Sequence, residues 1–154
     1  MTPRQTVRDY WLTKLATITR ANGYRTDVTT VALRSGLVRD LNTSEYPAII
    51  MTQQEDRPVM ETLGANTSND HFREWSIDLH LIALAQNEQE VEDAGEDLIA
   101  DVLHCLIVNR FSGGKPSDVR VDTISPQEFE RIENRRAEIT MRIVTKYDFT
   151  VQEL

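Results

Sequence analysis

The residues whose types could do chemistry are three histidines, one cysteine and a dense run of carboxylates. His71, His80 and His104 do not form a His-Glu-x-x-His motif, and no pair of them has zinc-ligand spacing. Ser76, Asp78 and His80 supply the groups of a nucleophilic triad. They alternate along one extended stretch, so their side chains stand side by side and do not converge. A Gly-x-Ser-x-Gly elbow is missing from the chain. Asp97, Asp101 and His104 follow at steps of four and three, which puts them on one side of a helix where a divalent cation could sit. A solvated acidic helix surface is the plainer reading. Gly113 and Gly114 are not followed by the Gly-Lys-Ser/Thr start of a phosphate loop. Cys105 is the only cysteine, which excludes an intrachain disulfide and a cysteine-based zinc cluster. It falls on an apolar helix side, the place of a buried and inert thiol. No catalytic, cofactor-binding or metal-binding residue is assigned from these patterns.

The stretch 71–106 must position most of these groups. Trp75, Ile77, Leu79, Leu81 and Ala83 alternate with Glu74, Ser76, Asp78 and His80, the pattern of a half-buried strand. Gln86 and Asn87 break it. Val91, Ala94, Leu98, Val102, Cys105 and Leu106 then recur at helical steps, which predicts an amphipathic helix from about Glu88. The last strong element alternates from Arg136 to Val151, with Ala137, Ile139, Met141, Ile143, Tyr147, Phe149 and Val151 on one side. Arg136, Arg142 and Lys146 lie on its other side, opposite in sign to Glu74 and Asp78. Antiparallel pairing of the two long strands would set these charges across a ladder, at ~0.2–1 kcal/mol per pair.

The rest of the chain supplies partners. Thr2-Pro3-Arg4-Gln5 reads as a capping-box helix start, with Val7, Trp11, Leu15 and Ile18 on one side and Gly23 as the stop. Trp11, and less strongly Tyr10, is expected to pack on the sheet. Val28, Val31 and Leu33 suit a short strand, and 46–52 a better one, with Pro47 at its start. Residues 53–57 read as a polar turn, 59–63 as a return strand and 64–70 as a polar loop. Val119, Val121 and Ile124 suit another short strand. Ser125-Pro126-Gln127-Glu128 looks like a second helix start, with Phe129 and Ile132 packing it down. The expected fold is therefore one α/β (α+β) domain over 1–154. It has a mostly antiparallel sheet of about four to six strands flanked by two main helices.

Hydrophobic residues make up 40% and charged residues 27% of 154 residues, as in an ordinary globular domain. No apolar run approaches the ~20 residues of a membrane span, and Arg4, Arg8, Asp9 and Lys14 interrupt any leader-like segment. Cytosolic synthesis and no membrane partner are the expectation. The net charge of −8, from 25 acidic and 17 basic residues, argues against gripping nucleic acid by its phosphates. An acidic wall would instead let DNA pass without holding it.

Two family resemblances bear on function. Glu92, Asp93, Glu96 and Asp97 resemble the Glu-x-x-Asp helix of all-α, MazG-like, magnesium-dependent nucleotide pyrophosphohydrolases. That family also needs a second acidic helix alongside, where this chain offers strands. The acids gather in the first helical turns, where the helix dipole favours them by ~0.3–1 kcal/mol each. The resemblance that covers nearly the whole chain is to phage tail terminator proteins, the family that includes the lambda-like minor tail protein U. It rests on the order of elements: the helix closing at Asn22-Gly23-Tyr24, the run Glu45-Tyr46-Pro47-Ala48-Ile49-Ile50, the strand Arg73-Glu74-Trp75-Ser76-Ile77-Asp78-Leu79, the acidic helix ending Val102-Leu103-His104-Cys105-Leu106, and a long closing strand to Tyr147.

This resemblance implies a structural virion protein and no enzyme. It would form a ring, typically a hexamer, that caps the tail tube at its set length and meets the head–tail connector. Its partners would be copies of itself, the tail tube protein and the connector or head completion protein, with DNA passing through the lumen. It implies no cofactor. Its place would be the head-proximal end of the tail, after assembly in the host cytoplasm. Another neck protein, such as a head–tail connector or tail completion adaptor, is the alternative. Candidate assembly loops are Gln53, Gln54, Glu55, Asp56 and Arg57, and Asn66, Thr67, Ser68, Asn69 and Asp70, because they are polar and adjoin strand ends.

Overall fold

A computed structural model describes residues 2–33, 43–58, 72–85, 87–110, 118–125, 128–130 and 135–148. Helix α1 (Pro3–Leu15) starts at the capping box its sequence announces. The Thr2 hydroxyl accepts from the Gln5 amide at 3.2 Å, and the Gln5 side chain accepts from the Thr2 amide at 2.8 Å. The helix stops at Leu15, short of the expected end at Gly23. Thr17, Ile18 and Thr19 are a β-branched run that disfavours helix, and the Thr17 hydroxyl donates to the Lys14 carbonyl at 2.6 Å. Gly23 instead closes a separate 3-10 turn, Arg20–Asn22, in a left-handed conformation (φ 89°).

The strands are β1 (Thr30–Leu33), β2 (Ala48–Pro58), β3 (Phe72–Ala85), β4 (Asp118–Ile124), β5 (Glu128–Glu130) and β6 (Arg135–Asp148), with helix α2 (Glu88–Val108) between β3 and β4. They form one sheet in the order β1-β2-β3-β6-β4, with β5 also on β6. β1 and β2 run parallel and every other pair is antiparallel. The fold is thus α+β with a mixed sheet.

β3 and β6 pair along their whole lengths, from Phe72 opposite Asp148 to Ala85 opposite Arg135. The expected charge ladder forms. Asp78 sits opposite Arg142 and accepts two guanidinium hydrogen bonds, at 2.8 and 3.2 Å. Glu74 sits opposite Lys146 and is flanked by Arg57 at 3.6 Å and Arg120 at 3.7 Å.

Of the expected helical start at 125–128, residues 126–127 lie outside the described residues and Glu128 opens a strand instead. β4 pairs with β6 only from Met141 to Lys146, which leaves β6 open at 136–138. Glu128–Glu130 fills that place as a strand, with Phe129 opposite Ala137. Ile132 and the expected strand 59–63 lie outside the described residues.

Both helices cover the same sheet face. Val7, Trp11, Leu15 and Ile18 join Leu98, Val102, Cys105 and Leu106 over Ile49, Met51, Trp75, Ile77, Leu79, Leu81, Ile139, Met141, Ile143 and Tyr147 in one core. Each fully buried side chain of this size adds ~1.5–3 kcal/mol by leaving water. The Tyr10 hydroxyl donates to the Asn109 carbonyl at 2.7 Å, and the Cys105 thiol to the Lys14 carbonyl at 3.4 Å, so the two helices run antiparallel. Among the described residues no helix is long and apolar enough to cross a membrane.

Candidate functional site

The segment 53–57 is the second half of β2, not a turn. β3 extends far enough to pair with it, Glu74 opposite Arg57 and Arg73 opposite Pro58, so the polar residues continue the ladder. Between the pairs Gln53–Ile77 and Asp56–Trp75, β2 advances one residue more than β3. Gln54 and Glu55 together oppose Ser76, which is a β-bulge. The bulge reverses the facing of β2. Ile49, Met51 and Gln53 face the helices before it, and Asp56 takes that face after it. In a regular strand Glu55 would point there and Asp56 away.

Asp56 consequently lands in a cluster near the start of α1. One carboxylate oxygen accepts from Arg73 Nε at 2.7 Å, and the other accepts a short hydrogen bond from the Tyr147 hydroxyl. Arg4 Nε lies 3.5 Å from that second oxygen. The Arg4 guanidinium stacks 4.5 Å above the Trp75 ring and donates to Gln53 Oε1 at 3.2 Å. A cleft of about 370 Å³ opens beside it, lined by Thr2, Arg4, Gln5, Arg8, Gln53 and Trp75. Arg8 pairs with Asp9 at 2.9 Å. The indole N–H of Trp75 is buried and has no acceptor among the described residues.

Burial, helped by the Asp56 carboxylate, raises the Tyr147 phenol well above its ordinary value of 10.0. Burial also raises the Cys105 thiol above its ordinary 9.0. In both, the protonated form is favoured in the folded chain, so the unfolded chain releases these protons first as pH rises. Stability is therefore intact below about pH 9 and falls above it. Urea unfolding at pH 8, 9.5 and 11 checks this, and Tyr147→Phe should flatten the slope above pH 10; equal stability at all three values would refute it.

The other candidate groups are structurally occupied. Buried Asp101 accepts from the backbone amides of Arg25 and Thr26 and from the Thr26 hydroxyl, at 2.5 to 3.1 Å. Asp97 pairs with Arg25 at 3.3 Å, and His104 meets the Tyr24 ring edge-on at 5.5 Å. The three therefore hold the 24–27 segment against α2. Asp101→Ala should cost about 2–3 kcal/mol by orphaning two amides. Asp97→Ala should cost under ~1 kcal/mol, because its pair is exposed. Hydrogen exchange at the Arg25 and Thr26 amides is the check.

Asp78 is taken by Arg142, while His80 lies between Thr52 at 3.0 Å and Thr140 at 3.3 Å, so Ser76, Asp78 and His80 do not converge. Glu92, Asp93 and Glu96 are exposed on the first turns of α2, whose neighbours are β3, β6 and α1. The acids of α1 amount to Asp9 alone, so it is not the second acidic helix of the hydrolase pattern. Among the described residues no group of three metal-binding side chains occurs. Asn66, Thr67, Ser68, Asn69 and Asp70 lie outside the described residues.

Of the candidate loop residues, Gln53 and Asp56 thus enter the cluster, Arg57 joins the opposite face, and Gln54 and Glu55 are exposed at the bulge. Arg4, Arg73, Trp75 and Tyr147 belong to this cluster without lying in any sequence motif that marks a site. The one available signal was Tyr147, whose hydroxyl on an apolar strand face demands a buried partner. No family model matches this sequence, and no curated protein matches it either.

Proposed function

We propose that this chain is a structural tail terminator of a phage particle. It assembles as a ring, caps the tail tube at its final length and presents its other face to the head–tail connector. The observation that carries this reading is the order of elements: a capped N-terminal helix, a strand beginning just after Pro47, a long strand, an acidic helix and a long closing strand, with the strands in one sheet. That is the order on which the family resemblance rests. The net charge of −8 suits a lumen that DNA crosses without adhering. The carboxylates with fixed partners, Asp56, Asp78 and Asp101, are engaged in holding strands and loops together, which suits a protein that works through surfaces. The exposed bulge residues Gln54 and Glu55, with 64–70, are the proposed contacts for assembly.

Light scattering across concentration, followed by electron microscopy of tail tubes mixed with the protein, tests this. A mass of about six chains, or rings on tube ends, is expected from the resemblance. A monomer at every concentration that also leaves tube ends bare overturns it. A ring of another size that pulls down a head connector but no tube protein moves the assignment to a neck adaptor. Deleting 64–70 should leave a folded chain that no longer caps tubes, and capping by the deletion variant would refute the role given to that segment.

A further inference from the structure

The cleft beside Arg4 has more donors than acceptors. The Thr2 hydroxyl oxygen is used by the Gln5 amide, Gln5 Oε1 by the Thr2 amide, and Gln53 Oε1 by Arg4. Against these spent acceptors stand the guanidinium groups of Arg4 and Arg8, only partly answered by Asp56 at 3.5 Å and Asp9 at 2.9 Å, and the positive end of α1. The donors that remain favour a group that brings acceptors and negative charge. The chain carries such groups at the other end of its helical layer, where Glu92 and Asp93 are exposed on the first turns of α2.

The two patches cannot meet within one chain. Trp75 lies near the start of β3 and α2 begins after its end, so roughly 33 Å of strand, at ~3.3 Å per residue, separates them. The antiparallel helices place Arg4 beyond the C-terminal end of α2, away from Glu92. Complementary patches at opposite ends of one layer make a head-to-tail contact, which closes into a ring when the rotation allows. We propose that the cleft lined by Arg4 and Arg8 receives the carboxylates of Glu92 and Asp93 from a second copy of this chain. This inference rests on the ring reading above and names the contact that would build the ring.

Arg8 and the two acids lie outside the Asp56 cluster, so their charges can be reversed without breaking it. The experiment compares wild type, R8E, an E92K/D93K variant and an equimolar mixture of the two variants, by light scattering over a concentration series. Each variant alone should need roughly tenfold more protein to assemble. The mixture should recover to within roughly threefold of wild type, because reversed cleft meets reversed helix and intact cleft meets intact helix. Assembly of either variant at the wild-type concentration overturns the proposal, and so does a mixture that fails to recover. If R8E melts early, R8Q replaces it and should weaken assembly by a smaller factor; no weakening overturns the contact. Wild type that assembles neither alone nor on tube ends sinks the ring reading itself, whereas assembling wild type with indifferent variants sinks only this contact.

Discussion

Asp56→Ala should destabilise the fold by about 2–3 kcal/mol, below the ~3–5 kcal/mol of a fully buried charged pair because Arg4 and Arg73 are partly exposed. The loss has two parts. Tyr147 is 1% exposed, and its hydroxyl would keep its donor without an acceptor. Arg4 and Arg73 would keep their positive charges at close quarters with no carboxylate between them. Both guanidinium groups reach solvent in part, which keeps the cost below that of a fully buried orphan charge. Asp56→Asn, which retains one acceptor oxygen, should fall between alanine and wild type. Adding Tyr147→Phe to Asp56→Ala should recover part of the loss, since two absent partners cost less than one orphan. Urea unfolding of the four proteins reads this directly. A change under about 0.5 kcal/mol for Asp56→Ala would mean that the cluster adds nothing to stability.

The second large effect is expected at Trp75, where alanine should cost about 3–5 kcal/mol. Its ring is wholly buried between the sheet and α1, and it supports the Arg4 guanidinium on one face. Trp75→Phe is the informative companion. It removes volume but also removes an indole N–H that has no acceptor among the described residues, so the two terms oppose each other. The phenylalanine variant should lie within about 1.5 kcal/mol of wild type. If it were as damaging as alanine, the lost ring volume would outweigh the relief of the unpaired N–H.

Much of this architecture was legible from residue period alone. The alternation in 72–85 and 135–148 located both long strands, and their opposite charges at Asp78 and Arg142 indicated that they pair antiparallel. Period, caps and facing are local properties, set by geometry that repeats every two or 3.6 residues. The capping box at Thr2 and the apolar side of α2, with Cys105 buried on it, follow from the same rule. Tertiary structure decided what depends on distant partners. Residues 53–57 look like a turn until β3 offers them a ladder, and 125–128 look like a helix start until β6 leaves an open place beside Ala137 that takes 128–130 as a strand. The bulge at Gln54 and Glu55 shifts one strand by a single residue, which no local pattern announces, yet it decides that Asp56 faces the helices. The cluster that follows joins residues 4, 53, 56, 73, 75 and 147, brought together only by strand register and by where α1 comes to rest.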